Sequence, residues 1–358
     1  MKYLFLNSAG VWGGNEKWTH MAATALSRDH SVYLAYKSDI IGERYSTGKI
    51  KLPFRWSYDP QTIASLNSYV QDNEIDILIP TKKRDYVLAG LVARRCRKKN
   101  VIRLGIVRKI GRNPYKKFVY DTLNHGIIVN AQKIKDVLLA SSNMNAGKIQ
   151  VIYNGIDVET LDLLPHGDAQ IEKISPFMIC TVGRLSKRKG LDIILKIFSE
   201  FLRNIHPEKA KLTIIGGGKR FPEFQRLASV LGISEFVHFT GFIKNPYPYL
   251  RVSDVYLTMS QNEGISNALL EAMYLENAVI TSKAGGAGEI VSDHKNGILL
   301  HENTVHEGAA ALYDLYSDDA LRQTIAKNAK QTVMERCSLE KMASEINKFC
   351  TNVVNQSI

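Results

Sequence analysis

Twice along this chain, short apolar segments alternate with amphipathic ones, and no other feature restricts the fold as strongly. The first series has strands at Lys2–Leu6, Ser31–Tyr36, Ile75–Ile79, Val101–Val107, Gly126–Val129 and Ile149–Ile152. Between them lie helical stretches at Glu16–Ser27, Thr62–Asp72, Tyr86–Lys98, Tyr115–Leu123 and Ala131–Leu139. Strands joined by helices of this length form right-handed βαβ units and a parallel sheet. From Asn154 to Pro176, Gly155, Pro165, Gly167, Pro176 and several acids break the rhythm, which reads as a linker. The second series has strands at Phe177–Val182, Lys211–Ile215, Phe236–Phe239, Val255–Met259, Ala278–Thr281 and Gly297–Leu300. Its helices are Gly190–Arg203, Pro222–Leu231, Asn267–Leu275 and Glu307–Leu315, and three more amphipathic stretches close the chain. The expectation is an α/β protein of two Rossmann-like, doubly wound domains, 1–165 and 166–337, facing a central cleft. In such sheets ligands sit beyond the carboxyl ends of the strands.

Length and composition agree with that expectation. A chain of 358 residues allows two domains, and a 45% hydrophobic fraction is ordinary for globular cores. Cys96, Cys180, Cys337 and Cys350 form no CxxC pair and no zinc framework, so isolated thiols in a reducing compartment are expected. The apolar run Tyr3–Leu6 stops at Asn7, too short for a secretory h-region, and no run approaches the ~20 residues of a membrane span. A cytoplasmic protein is the expectation.

The net charge of +12 is uneven. Residues 1–170 carry +10 (25 Lys/Arg against 15 Asp/Glu), and residues 171–358 carry +2 (22 against 20). Between Lys82 and Lys117 there are 14 basic residues and one acid, Asp85. Such a run can be a merely solvated face. Its confinement to one half favours attraction to an anionic partner: lipid headgroups, a phosphorylated glycan or nucleic acid. Binding to anionic vesicles is expected through Arg94, Arg95, Arg97, Lys98 and Lys99.

Five motifs converge on a nucleotide diphosphate as ligand. Gly10-Val-Trp-Gly-Gly-Asn-Glu16 places Gly13 and Gly14 before a helix, where backbone amides can meet an anion. Gly183-Arg-Leu-Ser-Lys-Arg-Lys-Gly190 sets Arg184 and Lys189 at the end of a strand, where cations oppose charge developing on a departing diphosphate. Ile214-Ile-Gly-Gly-Gly-Lys-Arg220 is a phosphate or ribose approach or a simple βα turn, and the residues alone leave both open. Ser260-Gln-Asn-Glu-Gly-Ile-Ser-Asn-Ala-Leu-Leu-Glu271 is the most specific motif. In it Ser266 can cap a helix, and the amides of Asn267, Ala268 and Leu269 point from its N-terminus at an anion. Glu263 and Glu271 can accept hydrogen bonds from hydroxyls on either side of that anion, one from a sugar and the other from a ribose. Ala284-Gly-Gly-Ala-Gly-Glu289 is a further glycine-rich turn. No Asp-x-Asp and no His pair at ligand spacing is present, so no metal and no cofactor beyond the donor itself is expected.

Taken together, Gly183-Arg184…Lys189-Gly190, Thr240-Gly241-Phe242, Glu263-x7-Glu271 and Gly285-Gly286…Glu289 resemble family 4 retaining glycosyltransferases of the GT-B fold. The resemblance covers most of residues 150–300 and extends more weakly to Gly13-Gly14. It implies that Arg184 and Lys189 bind the donor diphosphate, Glu263 the transferred sugar and Glu271 the ribose. The backbone at Gly241, Phe242 and Ile243 would meet the base. The stretch of Gly264, Ile265, Ser266, Asn267, Ala268 and Leu269 would lie along the donor, with Gly14 against its phosphates. The last helix, about 338–358, would cross back to the first domain. It further implies front-face transfer of a hexose-type sugar, for instance from a UDP-sugar, with retained configuration. The acceptor would be a cell-surface polysaccharide, lipopolysaccharide or lipid-linked glycan, reached by peripheral association with the inner face of the membrane. Relatives carry a histidine after the fourth strand of the first lobe; here the segment is Val101-Ile-Arg-Leu-Gly-Ile-Val-Arg108, and Arg103 stands in its place as a sugar or acceptor contact. His20 and His125 are expected to be structural or surface residues. The competing readings are a sugar-nucleotide epimerase in the same cleft and a nucleic-acid binder using Lys82–Lys117. The second is weakened by sparse stacking aromatics in that run.

Overall fold

The computed structural model describes residues 1–163, 171–301 and 305–356. In chain order the elements are β1 (Lys2–Asn7), α1 (Gly14–Leu26), β2 (Ser31–Tyr36), α2 (Asp39–Gly42), β3 (Gly48–Lys51), α3 (Pro60–Asp72) and β4 (Ile77–Pro80). Next come α4 (Lys83–Cys96), β5 (Lys99–Leu104), α5 (Pro114–Lys117), β6 (Gly126–Val129), α6 (Gln132–Ser141), β7 (Ile149–Val151) and α7 (Val158–Leu163). The second series is β8 (Phe177–Val182), α8 (Leu191–Leu202), β9 (Ala210–Ile215), α9 (Phe221–Val230), β10 (Val237–Gly241), α10 (Tyr247–Val252) and β11 (Val255–Thr258). It ends with α11 (Asn267–Tyr274), β12 (Ala278–Ser282), β13 (Ile298–Leu300), α12 (Val305–Ser317), α13 (Asp319–Arg336) and α14 (Leu339–Asn355).

The chain forms two compact units, Met1–Gly155 with Leu339–Ile358, and Ile156–Ser338. The expected boundary at 165/166 lies outside the described residues. In the first unit the strands form one sheet of order β3-β2-β1-β4-β5-β6-β7, parallel throughout. Successive side chains of a strand point to opposite faces, and β1 shows what that does. Tyr3 and Phe5 pack with Trp18 and Met21 of α1 and with Met342 and Ile346 of α14. Leu4 and Leu6 pack with Leu66 and Val70 of α3 and with Leu88 and Val92 of α4. Because both faces are covered, the strand reads as a continuous apolar run.

The second unit has the parallel order β10-β9-β8-β11-β12-β13. Its core is led by α8, whose Leu191, Ile194, Leu195, Phe198, Phe201 and Leu202 recur at helical spacing and are buried. Both orders reverse direction beside the first strand of the unit, between β1 and β4 and between β8 and β11. At such a reversal the loops on either side diverge and leave a crevice at the strands' carboxyl ends.

Three features differ from the sequence expectations. The elements α2, β3, α7 and α10 were not expected, α7 lying in the stretch read as a linker; β3 is a short exposed edge strand held by pairing with β2. Two helices, not three, follow α12, because α13 runs unbroken for 18 residues. Lys99 is not a surface cation: it opens β5, is buried, and donates from Nζ to the Gln356 carbonyl at 2.8 Å. Among the described residues no helix is long and apolar enough to cross a membrane.

Candidate functional site

In the second unit, the loops after β8, β9, β11 and β12 touch one another through backbone at the carboxyl edge of the sheet. The loop after β8 donates from the Gly183 amide to the Ile215 carbonyl (2.9 Å) and from Leu185 to Gly217 (3.0 Å). A Cβ at Gly218 would lie 2.4 Å from the Leu185 carbonyl oxygen, so the triple glycine after β9 is there for close packing of two turns. Arg220, at the end of that motif, is paired with Glu223 one helical turn on.

Two glycines then fix the position of Glu263. Gly190 has φ +64, and a Cβ there would lie 2.2 Å from the Met259 carbonyl oxygen. The same contact lets the Gln261 amide donate to the Arg188 carbonyl at 2.8 Å. Gly285 has φ +87, and its Cβ would lie 2.3 Å from the Glu263 carbonyl oxygen, which accepts from the Gly286 amide at 3.0 Å. Left-handed backbone with no room for a side chain admits glycine alone. The loops after β8 and β12 thus grip the β11 loop from both sides.

The Glu263 carboxylate, with its side chain 14% exposed, accepts from Lys189 Nζ at 2.9 Å and lies 3.5 Å from Arg188 Nη2. The role of Arg188 was not legible in the sequence, since it depends on a loop-to-loop distance. The Lys189 stem crosses Gly183, where a Cβ would meet its Cε at 3.1 Å. Arg184 is exposed, and among the described residues it makes no ion pair. A pocket opens here, lined by Gly183, Arg184, Lys189, Ile215 and Thr258.

Just beyond Glu263 begins α11. Ser266 is its N-cap with extended backbone (φ −77, ψ 134), but its hydroxyl makes no capping hydrogen bond. The first intrahelical bond runs from the Leu270 amide to the Ser266 carbonyl at 3.2 Å, so the amides of Asn267, Ala268 and Leu269 precede the ladder. Ile265 and Leu269 turn their side chains inward at 2% and 1% exposure, which leaves only their main chain to face a ligand. Gly264 is buried, and Glu271 is buried in the fifth position of α11. Gly241 closes β10 and accepts from the Gly216 amide at 2.9 Å. Phe242 beside it is 70% exposed, and Ile243 is half-buried.

The remaining candidates lie in the first unit. Gly13 is the N-cap of α1, and a Cβ at Gly14 would meet nothing within 4 Å, so packing does not require glycine there. Arg103 is packed inside, 5% exposed. Its guanidinium donates to Asn15 Oδ1 (2.8 Å) and Asn154 Oδ1 (3.3 Å), lies 4.5 Å from the Trp18 ring centroid, and burial pulls its pKa down to about 10. Among the described residues no group of three His, Cys, Asp or Glu side chains could hold a metal ion.

Residues 168–332 match the family model "Glycosyl transferases group 1". An uncharacterized glycosyltransferase of Methanocaldococcus jannaschii is 28% identical over 252 residues, covering 69% of this chain and 62% of that protein. The N-acetylgalactosamine-N,N'-diacetylbacillosaminyl-diphospho-undecaprenol 4-alpha-N-acetylgalactosaminyltransferase of Campylobacter jejuni is 29% identical over 210 residues, 57% of this chain and 54% of that protein. These matches span little more than half the relatives' own lengths. A crystal structure of Anabaena HepE in complex with UDP and glucose superposes with a TM-score of 0.84 at 20% identity, over 98% of this chain and 100% of that one. The fold is that of GT-B glycosyltransferases, and most of the second unit matches the glycosyl transferases group 1 family.

Proposed function

We propose that the chain is a retaining glycosyltransferase that moves a hexose-type sugar from a nucleotide diphosphate donor to a lipid-linked or cell-surface glycan. The observation that carries this reading is the position of Glu263. The loops after β8 and β12 grip the β11 loop so that the Glu263 carboxylate meets two cations, Lys189 and Arg188, at the mouth of α11. A diphosphate placed there meets Lys189, Arg184 and the first-turn amides of α11, which together oppose the charge that grows on the leaving group. Glu263 then accepts from hydroxyls of the transferred sugar, and Glu271 from the ribose. The exposed Phe242 and the backbone of Gly241 and Ile243 offer a flat surface and main-chain partners for the base.

In the transfer step the bond from the anomeric carbon to the phosphate oxygen breaks, and the bond to the acceptor oxygen forms on the same face. The acceptor proton passes to the departing phosphate, so no side-chain base is required and the charge is taken up by fixed donors. Both relatives named above are glycosyltransferases, which favours transfer over epimerisation. The Campylobacter relative is named for a diphospho-undecaprenol substrate, and the HepE structure contains UDP. These names support a UDP-sugar as the first donor to test and a lipid-linked acceptor as the first acceptor.

The test is a thermal-shift titration with UDP-, GDP- and ADP-sugars. A ligand bound only by the folded protein raises its melting temperature. One donor class is expected to raise Tm in the wild type and not in Lys189→Ala. No shift with any nucleotide sugar would reject the assigned site.

A further inference from the structure

The basic run Lys82–Lys117 is one stretch in sequence and two separate surfaces in space. α4 carries Lys83 and Arg84 in its first turn and Arg94 and Arg95 in its last. Eleven residues of helix separate Arg84 from Arg95, about 17 Å at 1.5 Å per residue. At physiological ionic strength charges are screened over about 8 Å, so the two ends act independently. Lys99 and Arg103, between them and the next loop, are buried.

One of the two surfaces lies on the carboxyl edge of the first sheet. Parallel strands send their following loops to the same edge, so residues 52–59 after β3, the start of α4 after β4, and residues 105–117 after β5 converge there. They bring exposed Arg55, Lys83, Lys109, Arg112 and Lys117, with Lys116 half-buried. The acid of the first loop, Asp59, is buried and accepts from the Arg55 amide (3.1 Å) and Thr62 Oγ1 (2.6 Å). Three aromatic side chains stand exposed on this edge: Trp56 at 53%, Tyr58 at 45% and Tyr115 at 48%. The Arg84 guanidinium donates to the Phe54 carbonyl, tying the loop after β3 to the start of α4. Beside α5 a pocket is lined by Gly111, Arg112, Lys116, Lys117, Tyr120 and Asn143. Its one acid, Asp121, is engaged by Lys148 at 2.8 Å.

Exposed Trp and Tyr have an apolar body and a polar tip, the combination that settles at headgroup depth in a bilayer. Cations beside them attract anionic lipid at close range. We propose that this edge is a lipid-docking surface. Trp56, Tyr58 and Tyr115 enter the headgroup layer of an anionic bilayer, while Arg55, Arg112, Lys116 and Lys117 bind lipid phosphates. The Arg94–Lys98 surface at the far end of α4 takes no part. The proposal extends the lipid-linked acceptor reading, yet it is measured without donor or acceptor, so either can fail alone.

The test is co-sedimentation of the full chain with phosphatidylcholine vesicles, with and without phosphatidylglycerol. The wild type is expected to sediment only with the anionic vesicles and to be released by high salt. Joint replacement Trp56→Ala, Tyr58→Ala and Tyr115→Ala lowers vesicle affinity by roughly tenfold or more. Neutralising Arg55, Arg112, Lys116 and Lys117 to Ser lowers it on the order of a thousandfold. Neutralising Arg94, Arg95, Arg97 and Lys98 leaves it unchanged. A second readout does not depend on the multiple variants folding well: anionic vesicles shift Trp emission to the blue in the wild type and not in Trp56→Phe. Loss of sedimentation in the Arg94 set alone, an unchanged emission spectrum, or binding of RNA without binding of vesicles would each overturn the proposal.

Discussion

Lys189 and Glu263 form an ion pair between two loops, with Nζ 2.9 Å from Oε2 and side chains 19% and 14% exposed. Each holds the other in a place where a diphosphate and a sugar hydroxyl are proposed to bind. Removing one partner leaves a largely buried charge with only Arg188, or no carboxylate, to answer it. Glu263→Ala and Lys189→Ala are each expected to lower kcat on the order of 10²–10³-fold. Their stability cost falls below the ~3–5 kcal/mol of a fully buried pair, because water still reaches both groups. Urea unfolding of the double variant is expected to show less destabilisation than the two single losses added. Strict additivity would mean the pair is not coupled.

Gly285 and Gly288 lie in the same motif and predict opposite results. Alanine at 285 must adopt φ +87 and place Cβ 2.3 Å from the Glu263 carbonyl oxygen. Alanine at 288 meets its nearest atom, on Leu299, at an ordinary 3.6 Å. Gly285→Ala is expected to cost about 1–2 kcal/mol in backbone strain alone and to suppress transfer by moving Glu263. Gly288→Ala stays within about 0.5 kcal/mol of the wild type. Denaturant midpoints and a transfer assay on both variants check this, and an active Gly285→Ala would show that the β11 loop need not be gripped.

Ser266 occupies a cap position without making the cap. A capping serine changed to alanine typically costs about 1 kcal/mol. Here Ser266→Ala is expected to leave Tm unchanged and to raise the donor KM, the hydroxyl being reserved for ligand. A lowered Tm with unaltered KM would assign it to the helix instead.

Asp85 is fully buried, accepting from the Ser8 amide at 3.0 Å, and burial raises its pKa from 3.8 to about 6. An acid whose folded pKa exceeds its unfolded value keeps its proton in the native state first. Its contribution to stability therefore declines as pH climbs between the two values. From 3.8 to about 6 that decline is on the order of 3 kcal/mol. Asp85→Asn removes it, so the Tm of the variant relative to wild type should rise with pH across this window and level off above it. Parallel Tm curves for the two proteins would contradict the assignment.

What was legible in the sequence follows burial. Phe177–Val182, Ser31–Tyr36 and Gly126–Val129 have the bounds the apolar runs indicated, because strands covered on both faces are apolar without interruption. β3 was invisible because Gly48–Lys51 is polar and exposed, and only its neighbour makes it a strand. At the site, the strand–glycine–cation and strand–glutamate–helix patterns were legible, since local geometry follows from local sequence. Arg188 against Glu263 was not, nor was the purpose of Gly216–Gly218, because both depend on which loops lie side by side. Residue type also misled: Ser266 looked like a cap, and Lys99 counted as surface charge although the chain's last helix covers it.

The two ends of the second unit meet. Ile156 pairs with Ser338 in an isolated bridge, and the Ile156 amide donates to the Cys337 carbonyl at 2.9 Å. That unit is therefore a cassette inserted into the first, entered and left at one point. Excising it between Gly155 and Leu339 takes only two cuts at neighbouring sites, and the excised unit is expected to fold alone, which a cooperative urea transition of the isolated unit would check.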